Sequence, residues 1–234
     1  RWPAVALLLM TAAGVWIVER FPRPRPLVVI SAEPLDSLEG PQSFPTLSPD
    51  GSEVAFAWGG AGDARWGIYL MSITGGDPRP LTPAAGTDSG PAWSPDGTRI
   101  AFRHWTGSVE AVVVVPATGG APLQIAETDG YLVAWTPDSQ SVVFVVKSRK
   151  SAGFELWSVP AAGGEQHRIS APDQPVNPYE RVGYSPDGTM LAYESWPAES
   201  EQPQIMVRKA GGGAARQVTA LHSRPYGWAW TPDS

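Results

Sequence analysis

Short apolar segments alternate with tight polar turns along most of this chain, and one such hairpin recurs five times. The copies read PTLSPDGSEVAF from Pro45, PAWSPDGTRIAF from Pro91, VAWTPDSQSVVF from Val133, VGYSPDGTMLAY from Val182 and WAWTPDS from Trp228. In the second copy GPAWS is a strand, Pro95 takes the first central position of the turn, and Asp96 offers its side chain to nearby backbone. Gly97 then supplies positive φ before TRIAFRH returns as the second strand. The turn aspartates Asp50, Asp96, Asp138, Asp187 and Asp233 follow one another at intervals of 46, 42, 49 and 46 residues. A period of this length marks a repeat architecture.

The other half of the unit repeats too: IYLMSITGGDPRPLT from Ile68, VVVVPATGGAPLQIA from Val112, LWSVPAAGGEQHRIS from Leu156 and IMVRKAGGGAARQVT from Ile205. Each is a β-rich run, a Gly-Gly turn and another short strand, so one repeat is predicted to be a four-stranded antiparallel meander. A single such sheet cannot bury two apolar faces, and units of this kind stack radially around a channel. The fold class expected is all-β: a β-propeller of four-stranded blades, with four complete blades and the start of a fifth in this chain. PLDSLEGPQSFPTLSPDG from Pro34 matches PLTPAAGTDSGPAWSPDG from Pro80 without a gap. The segment Leu27 to Asp36 is therefore expected to lend an outer strand to the last blade of a ring of about six or seven.

Composition agrees. The 25 Gly and 25 Pro residues suit a turn-rich chain, and 42% apolar content suffices for a packed core. Trp93, Trp135 and Trp230 each stand two residues before a Pro-Asp pair, which makes them repeated core elements before anything else. A net charge of -6 argues against nucleic-acid binding by this segment. With no cysteine, the chain offers no disulfide, thiolate nucleophile or Cys-ligated zinc, which leaves its compartment open.

Trp2 to Val18 is uncharged, and Arg1 and Glu19-Arg20 bound it. As a helix it would rise roughly 25 Å, enough for a short bilayer span with Trp2 and Trp16 as interfacial anchors. A membrane anchor is the favoured reading; a signal-peptide core and a buried soluble helix are the alternatives. FPRPRPL reads as a stiff extended spacer. The expected division is a transmembrane anchor over residues 1–20, a Pro/Arg-rich linker over 21–26 and a partial propeller over 27–234. Arg20, Arg23 and Arg25 after the span favour a cytoplasmic C-terminal side by the positive-inside rule.

No motif for chemistry emerges. GYSPDG at Gly183 lacks the Gly-x-Ser-x-Gly spacing of a hydrolase elbow, so Ser185 reads as a turn residue. His104, His167 and His222 fall in different repeats without metal-ligand spacing and read as exposed strand or loop residues. One aspartate per turn cannot supply the oxygens of a calcium site. The triple glycine from Gly211 fills the Gly-Gly turn slot of its blade, and KSRKS from Lys147 reads as a solvated loop. No catalytic residue, cofactor or metal is expected. The connections TPAAGTDSG, SAPDQPVNPYER and TALHSRPYG vary while the strands do not, and they should share one rim by the channel mouth. Tyr179, Arg181, Arg224 and Tyr226 are the candidate contacts there for a protein or peptide partner.

The repeated aWSPDGxxIAF followed by IYxxxxxGGxxxxLT resembles the TolB-type, WD-like propeller repeat from about Leu27 to Ser234. The order of apolar span, Pro-Arg spacer, PLDSLEGPQSFPTLSPDGSEVAFAW and propeller is similar to the C-terminal half of a class of bacterial membrane proteins. In that class a cytoplasmic winged-helix DNA-binding domain or a serine/threonine kinase domain precedes one transmembrane helix and an extracytoplasmic propeller. The resemblance implies a non-catalytic sensor or scaffold propeller, membrane-anchored and periplasmic, in a signalling or transcription-regulating protein, a topology from which Arg20, Arg23 and Arg25 after the span depart. Two alternatives carry the same repeat: the substrate-gating propeller of a prolyl-oligopeptidase-family serine peptidase, and a TolB-like periplasmic envelope component.

Overall fold

The computed structural model describes residues 38–60, 66–83, 86–128, 130, 133–148, 154–169, 182–195, 202–220, 222 and 228–231. The chain divides into two compact units, Arg1–Pro34 and Leu35–Ser234, and all described residues belong to the second. The apolar span, the spacer and the segment Leu27 to Asp36 lie outside them. Among the described residues no helix is long and apolar enough to cross a membrane.

Four antiparallel sheets of four strands are present, each a simple meander in chain order. The first comprises β1 (Gln42–Leu47), β2 (Glu53–Trp58), β3 (Gly67–Ser72) and β4 (Arg79–Pro80), and the second β5 (Thr87–Trp93), β6 (Arg99–Trp105), β7 (Glu110–Pro116) and β8 (Leu123–Glu127). The third comprises β9 (Val133–Trp135), β10 (Ser141–Lys147), β11 (Phe154–Pro160) and β12 (His167–Arg168), and the fourth β13 (Val182–Tyr184), β14 (Met190–Ser195), β15 (Gln204–Lys209) and β16 (Arg216–Gln217). This is the blade predicted from the repeat, formed four times.

The first hairpin of every sheet closes by the same set of bonds. In the second sheet Gly97 N–H donates to Ser94 O at 2.8 Å, and Ser94 Oγ donates to Asp96 Oδ1 at 2.6 Å while accepting from Arg99 N–H at 3.0 Å. Asp96 Oδ1 also accepts from Thr98 N–H at 3.0 Å. The relations recur around Asp50, Asp138 and Asp187. Such bonds hold each carboxyl below its usual range, the hydroxyl two residues earlier being the main cause; for Asp50 the pKa falls from 3.8 to about 2. Gly51, Gly97 and Gly188 close their turns at φ near 70°, and Ser139 takes the same left-handed position in the third sheet at φ 59°.

Alternation along the second strand of each sheet explains how the sheets stack. Ile100 and Phe102 pack with Ala55, Ala57, Ile68 and Leu70 of the first sheet, whereas Ala101 joins Trp135, Val142 and Phe144 of the third. Val143, Val145 and Leu156 in turn pack on Leu191 and Tyr193 of the fourth. Because both faces are covered, these strands read as continuous apolar runs instead of alternating ones. Each fully buried aliphatic or Phe side chain contributes about 1.5–3 kcal/mol, so the interfaces between sheets supply the dominant favourable term.

Polar ties reinforce the stacking at edges. Arg79 Nη2 donates to Ala117 O at 3.1 Å between the first and second sheets, and Arg208 Nη1 to Ile169 O at 2.5 Å between the fourth and third. Trp230, in the fifth copy of the repeat, donates from Nε1 to Gly183 O at 3.1 Å, the relation that Trp135 has to Ala92. The fifth repeat thus begins against the fourth sheet as a blade would.

Candidate interaction rim

Antiparallel pairing sends the turns to one end of each sheet and the blade connections to the other. In the second sheet Thr87 pairs with Trp105, Trp105 with Glu110, and Ala111 with Glu127, so these residues line the end opposite the Asp96 turn. The connection from the first sheet arrives at this same end through Thr82, while residues 170–181 of a later connection lie outside the described residues. Tyr179, Arg181, Arg224 and Tyr226 lie outside the described residues.

Arg103 occupies a strand position that is Ala57 in the first repeat and Val145 in the third. It is only 6% exposed, its Nη1 pairs with Glu110 Oε1 at 2.5 Å, and its Nη2 donates to Ser89 Oγ at 2.7 Å. A buried guanidinium is tolerated because a carboxylate and a hydroxyl replace its water. Above the pair opens a cavity of about 620 Å³ lined by Thr87, Ser89, Trp105 and Ser108. A second, of about 680 Å³, is lined by residues of β8 together with Val146 and Gln166 of the third repeat. Both touch Ser108, Glu110 and Thr128; the first is lined by the second repeat alone, and the second lies between the second and third repeats. Trp105, 48% exposed, is the large apolar surface of the first and Val109 that of the second.

On the opposite face of the second sheet lies a polar cluster that the sequence did not announce. Asp88, 1% exposed, lies opposite His104 in the β5–β6 register; its Oδ1 is 2.6 Å from His104 Nδ1, and its Oδ2 accepts from Thr82 Oγ1 at 2.5 Å. Thr82 Oγ1 also accepts from Ile68 N–H at 3.0 Å. Burial pushes the Asp88 carboxyl above its usual range, against the opposing pull of Thr82 and His104. His104 is therefore half-buried and hydrogen-bonded to Asp88, unlike the exposed strand residue expected, while His167 and His222 are exposed. Gly86 makes room for the imidazole: a Cβ there would lie 2.6 Å from His104 Cε1.

Hydroxyl, carboxylate and imidazole meet here in an order unsuited to nucleophilic catalysis. The Thr82 hydroxyl gives its proton to the carboxylate, not to the imidazole that would have to act as base. The cluster instead fastens the incoming connection to β5 and β6. Ser185 Oγ is likewise engaged, by Asp187 Oδ1 at 2.5 Å, in the turn of the fourth sheet. Among the described residues no three His, Asp or Glu side chains converge as metal ligands.

Four stacked four-stranded meanders with this repeat define a β-propeller. The chain belongs to the TolB beta propeller domain family, whose family model matches residues 29–178. It is 33% identical over 81 residues to Tricorn protease homolog 1 from Streptomyces coelicolor, a match that covers 33% of this chain and 7% of that protein. The matched part is thus a small fraction of that relative's length. In structure the chain is similar to a putative TolB from Agrobacterium tumefaciens (TM-score 0.64, 21% identity, 80% of this chain and 69% of that one). It is also similar to the β-propeller domain of the Trilobed protease from Pyrococcus furiosus, which has an open velcro topology (TM-score 0.53, 14% identity, 77% and 57%). These two likenesses establish the fold and carry no function.

Proposed function

We propose that this chain is a non-catalytic sensor or protein-interaction propeller of a bacterial signalling or transcription-regulating protein. It is tethered to the membrane through Trp2 to Val18, lies on the extracytoplasmic side and binds a protein or peptide partner at the rim opposite the aspartate turns. The observation that carries this reading is the contrast between the two ends of the second sheet. At the turn end the Asp96 carboxylate is engaged by its own hairpin, whereas the rim end opens into a cleft with an exposed tryptophan. The apolar span and Pro-Arg spacer ahead of the repeats support the tether.

A second reading, a propeller that gates substrates for a peptidase, is favoured by the 33% identity to Tricorn protease homolog 1. The complete open reading frame separates the two. A winged-helix or kinase domain upstream of Trp2 is the expected result; a Gly-x-Ser-x-Gly elbow in a hydrolase domain downstream would overturn the first reading.

A further inference from the structure

Directly paired residues of antiparallel strands share a face, so the registers gather one set of side chains on a single side of the second sheet. Thr87, Trp105 and Glu110 stand in one row across β5, β6 and β7, and Ser89 and Arg103 stand in the next. All five line the cavity of about 620 Å³, together with Ser108 and Thr128. Small-molecule sites span roughly 300–1,000 Å³. The two charges in this cavity cancel, because Arg103 Nη1 pairs with Glu110 Oε1 at 2.5 Å and the guanidinium is buried. Outside it, Glu127 on the opposite face and exposed Lys147 add one charge of each sign. The walls offer hydrogen bonds instead of unmatched charge. Among the described residues the Thr87 and Ser108 hydroxyls and Glu110 Oε2 have no partner, and Ser89 Oγ, which accepts from Arg103 Nη2 at 2.7 Å, keeps its own proton to donate. Trp105, half-exposed, presents an indole face whose negative quadrupole attracts polarised C–H groups. In the first and third repeats the slots of Arg103 and Trp105 hold Ala57 with Gly59 and Val145 with Lys147, so the blade itself does not require this set.

We infer that this cavity of the second blade binds a neutral saccharide, with the C–H face of a pyranose ring on Trp105 and the ring hydroxyls bonded to Thr87, Ser89, Ser108 and Glu110 Oε2. Sugar hydroxyls both donate and accept, which matches walls made of hydroxyls and one carboxylate oxygen. A cationic ligand would need an unmatched carboxylate and an anionic one an accessible guanidinium; the Arg103–Glu110 pair denies both. The site goes beyond the protein or peptide contact proposed above and does not depend on it.

The test is ligand-observed saturation-transfer NMR on the full chain, with glucose, galactose, mannose and N-acetylglucosamine as neutral probes and glucosamine and glucuronate as charged ones. The expected result is saturable binding of at least one neutral sugar, unchanged by salt, with neither charged sugar bound more tightly. Trp105→Ala should lower the affinity about tenfold, and Trp105→Phe should recover part of the loss because it retains an aromatic face. Thr87→Val and Ser108→Ala should each lower it about threefold. Asp77→Asn, on the β3–β4 turn at the other end, should leave it unchanged. Far-ultraviolet circular dichroism and a thermal melt establish that each variant is folded. The bound hexose and its linear tetrasaccharide, titrated side by side, tell a free sugar from a unit of a glycan: equal affinity marks the first and tighter binding of the tetrasaccharide the second, and both agree with the inference. Binding of no neutral sugar, tighter and salt-sensitive binding of a charged one, or binding indifferent to Trp105→Ala and Thr87→Val would overturn it. None of these outcomes bears on the protein or peptide contact, which crosslinking at the rim tests by itself.

Discussion

The indole N–H of Trp135 donates to the main-chain carbonyl of Ala92 at 2.9 Å, tying the first strand of the third sheet to that of the second. The Arg99 guanidinium lies 5.0 Å from the centre of the same ring, and its Nη2 donates to Ser139 O at 2.5 Å. One tryptophan thus takes part in core packing, a hydrogen bond and a cation-π contact between neighbouring blades. Trp93, at the equivalent place one repeat earlier, is equally buried, but its Nε1 finds no partner among the described residues.

Trp135→Phe should therefore destabilise the fold by about 1–2 kcal/mol, since it removes both ring volume and a satisfied donor. Trp93→Phe should cost less, because removing an unpaired buried donor offsets part of the lost packing. Urea denaturation midpoints of the two variants, measured side by side, check this order.

Ser139 holds a position that glycine fills in three other turns, and its Oγ accepts from Asp96 N–H at 3.0 Å across the blade boundary. Ser139→Ala should lose about 1 kcal/mol by leaving that donor unpaired in a still left-handed backbone. Ser139→Gly loses the same bond but relieves the backbone, so its melting temperature should lie between those of Ser139→Ala and the parent.

Phe44 is the counterpart of Gly90 in the bulge of the first strand, where the two have φ 54° and 61°. With its ring 54% exposed, little packing repays the strain. Phe44→Gly should stabilise the fold by about 0.5–1 kcal/mol, and β-branched Phe44→Val should destabilise it. Guanidinium unfolding curves of both variants test the pair.

The turn aspartates set an acid limit. Their folded pKa values lie below the ordinary 3.8, Asp50 at about 2, so the folded state binds fewer protons than the unfolded chain. The stability they provide is complete above about pH 4 and is lost as the pH falls through their lowered folded pKa values, for Asp50 through about 2. Replacing Asp50, Asp96, Asp138 and Asp187 by Asn should lower stability at neutral pH and flatten its decline over that window. Denaturation midpoints taken across the acid range check both effects.

The blades were legible in the sequence because each hairpin carries its own instructions: Pro for the turn, Asp for the carboxylate cap, Gly for positive φ, and apolar runs on either side. The buried charges were not. Asp88 stands in TPAAGTDSG, a string that reads as loop, yet β5 already begins at Thr87 and places Asp88 opposite His104. Only that register, set by pairing across sixteen residues, gives an apparently lone histidine its carboxylate partner. Arg103 left a fainter signal, a cation at a repeat position that holds Ala57 and Val145 elsewhere. Aligning the repeats by slot flags it, but its pairing with Glu110 follows from the sheet. Tyr179, Arg181, Arg224 and Tyr226, which the sequence offers for the rim, lie outside the described residues.

Site-specific photo-crosslinking tests the interaction rim most directly. A crosslinking amino acid placed at Val109, on the exposed β6–β7 hairpin, is compared with one at Asp77 on the opposite end, in the full protein expressed in its native host. The expected result is a discrete adduct with a protein or peptide partner from Val109 and none from Asp77. Adducts from Asp77 alone, or from neither position, would contradict binding at this rim.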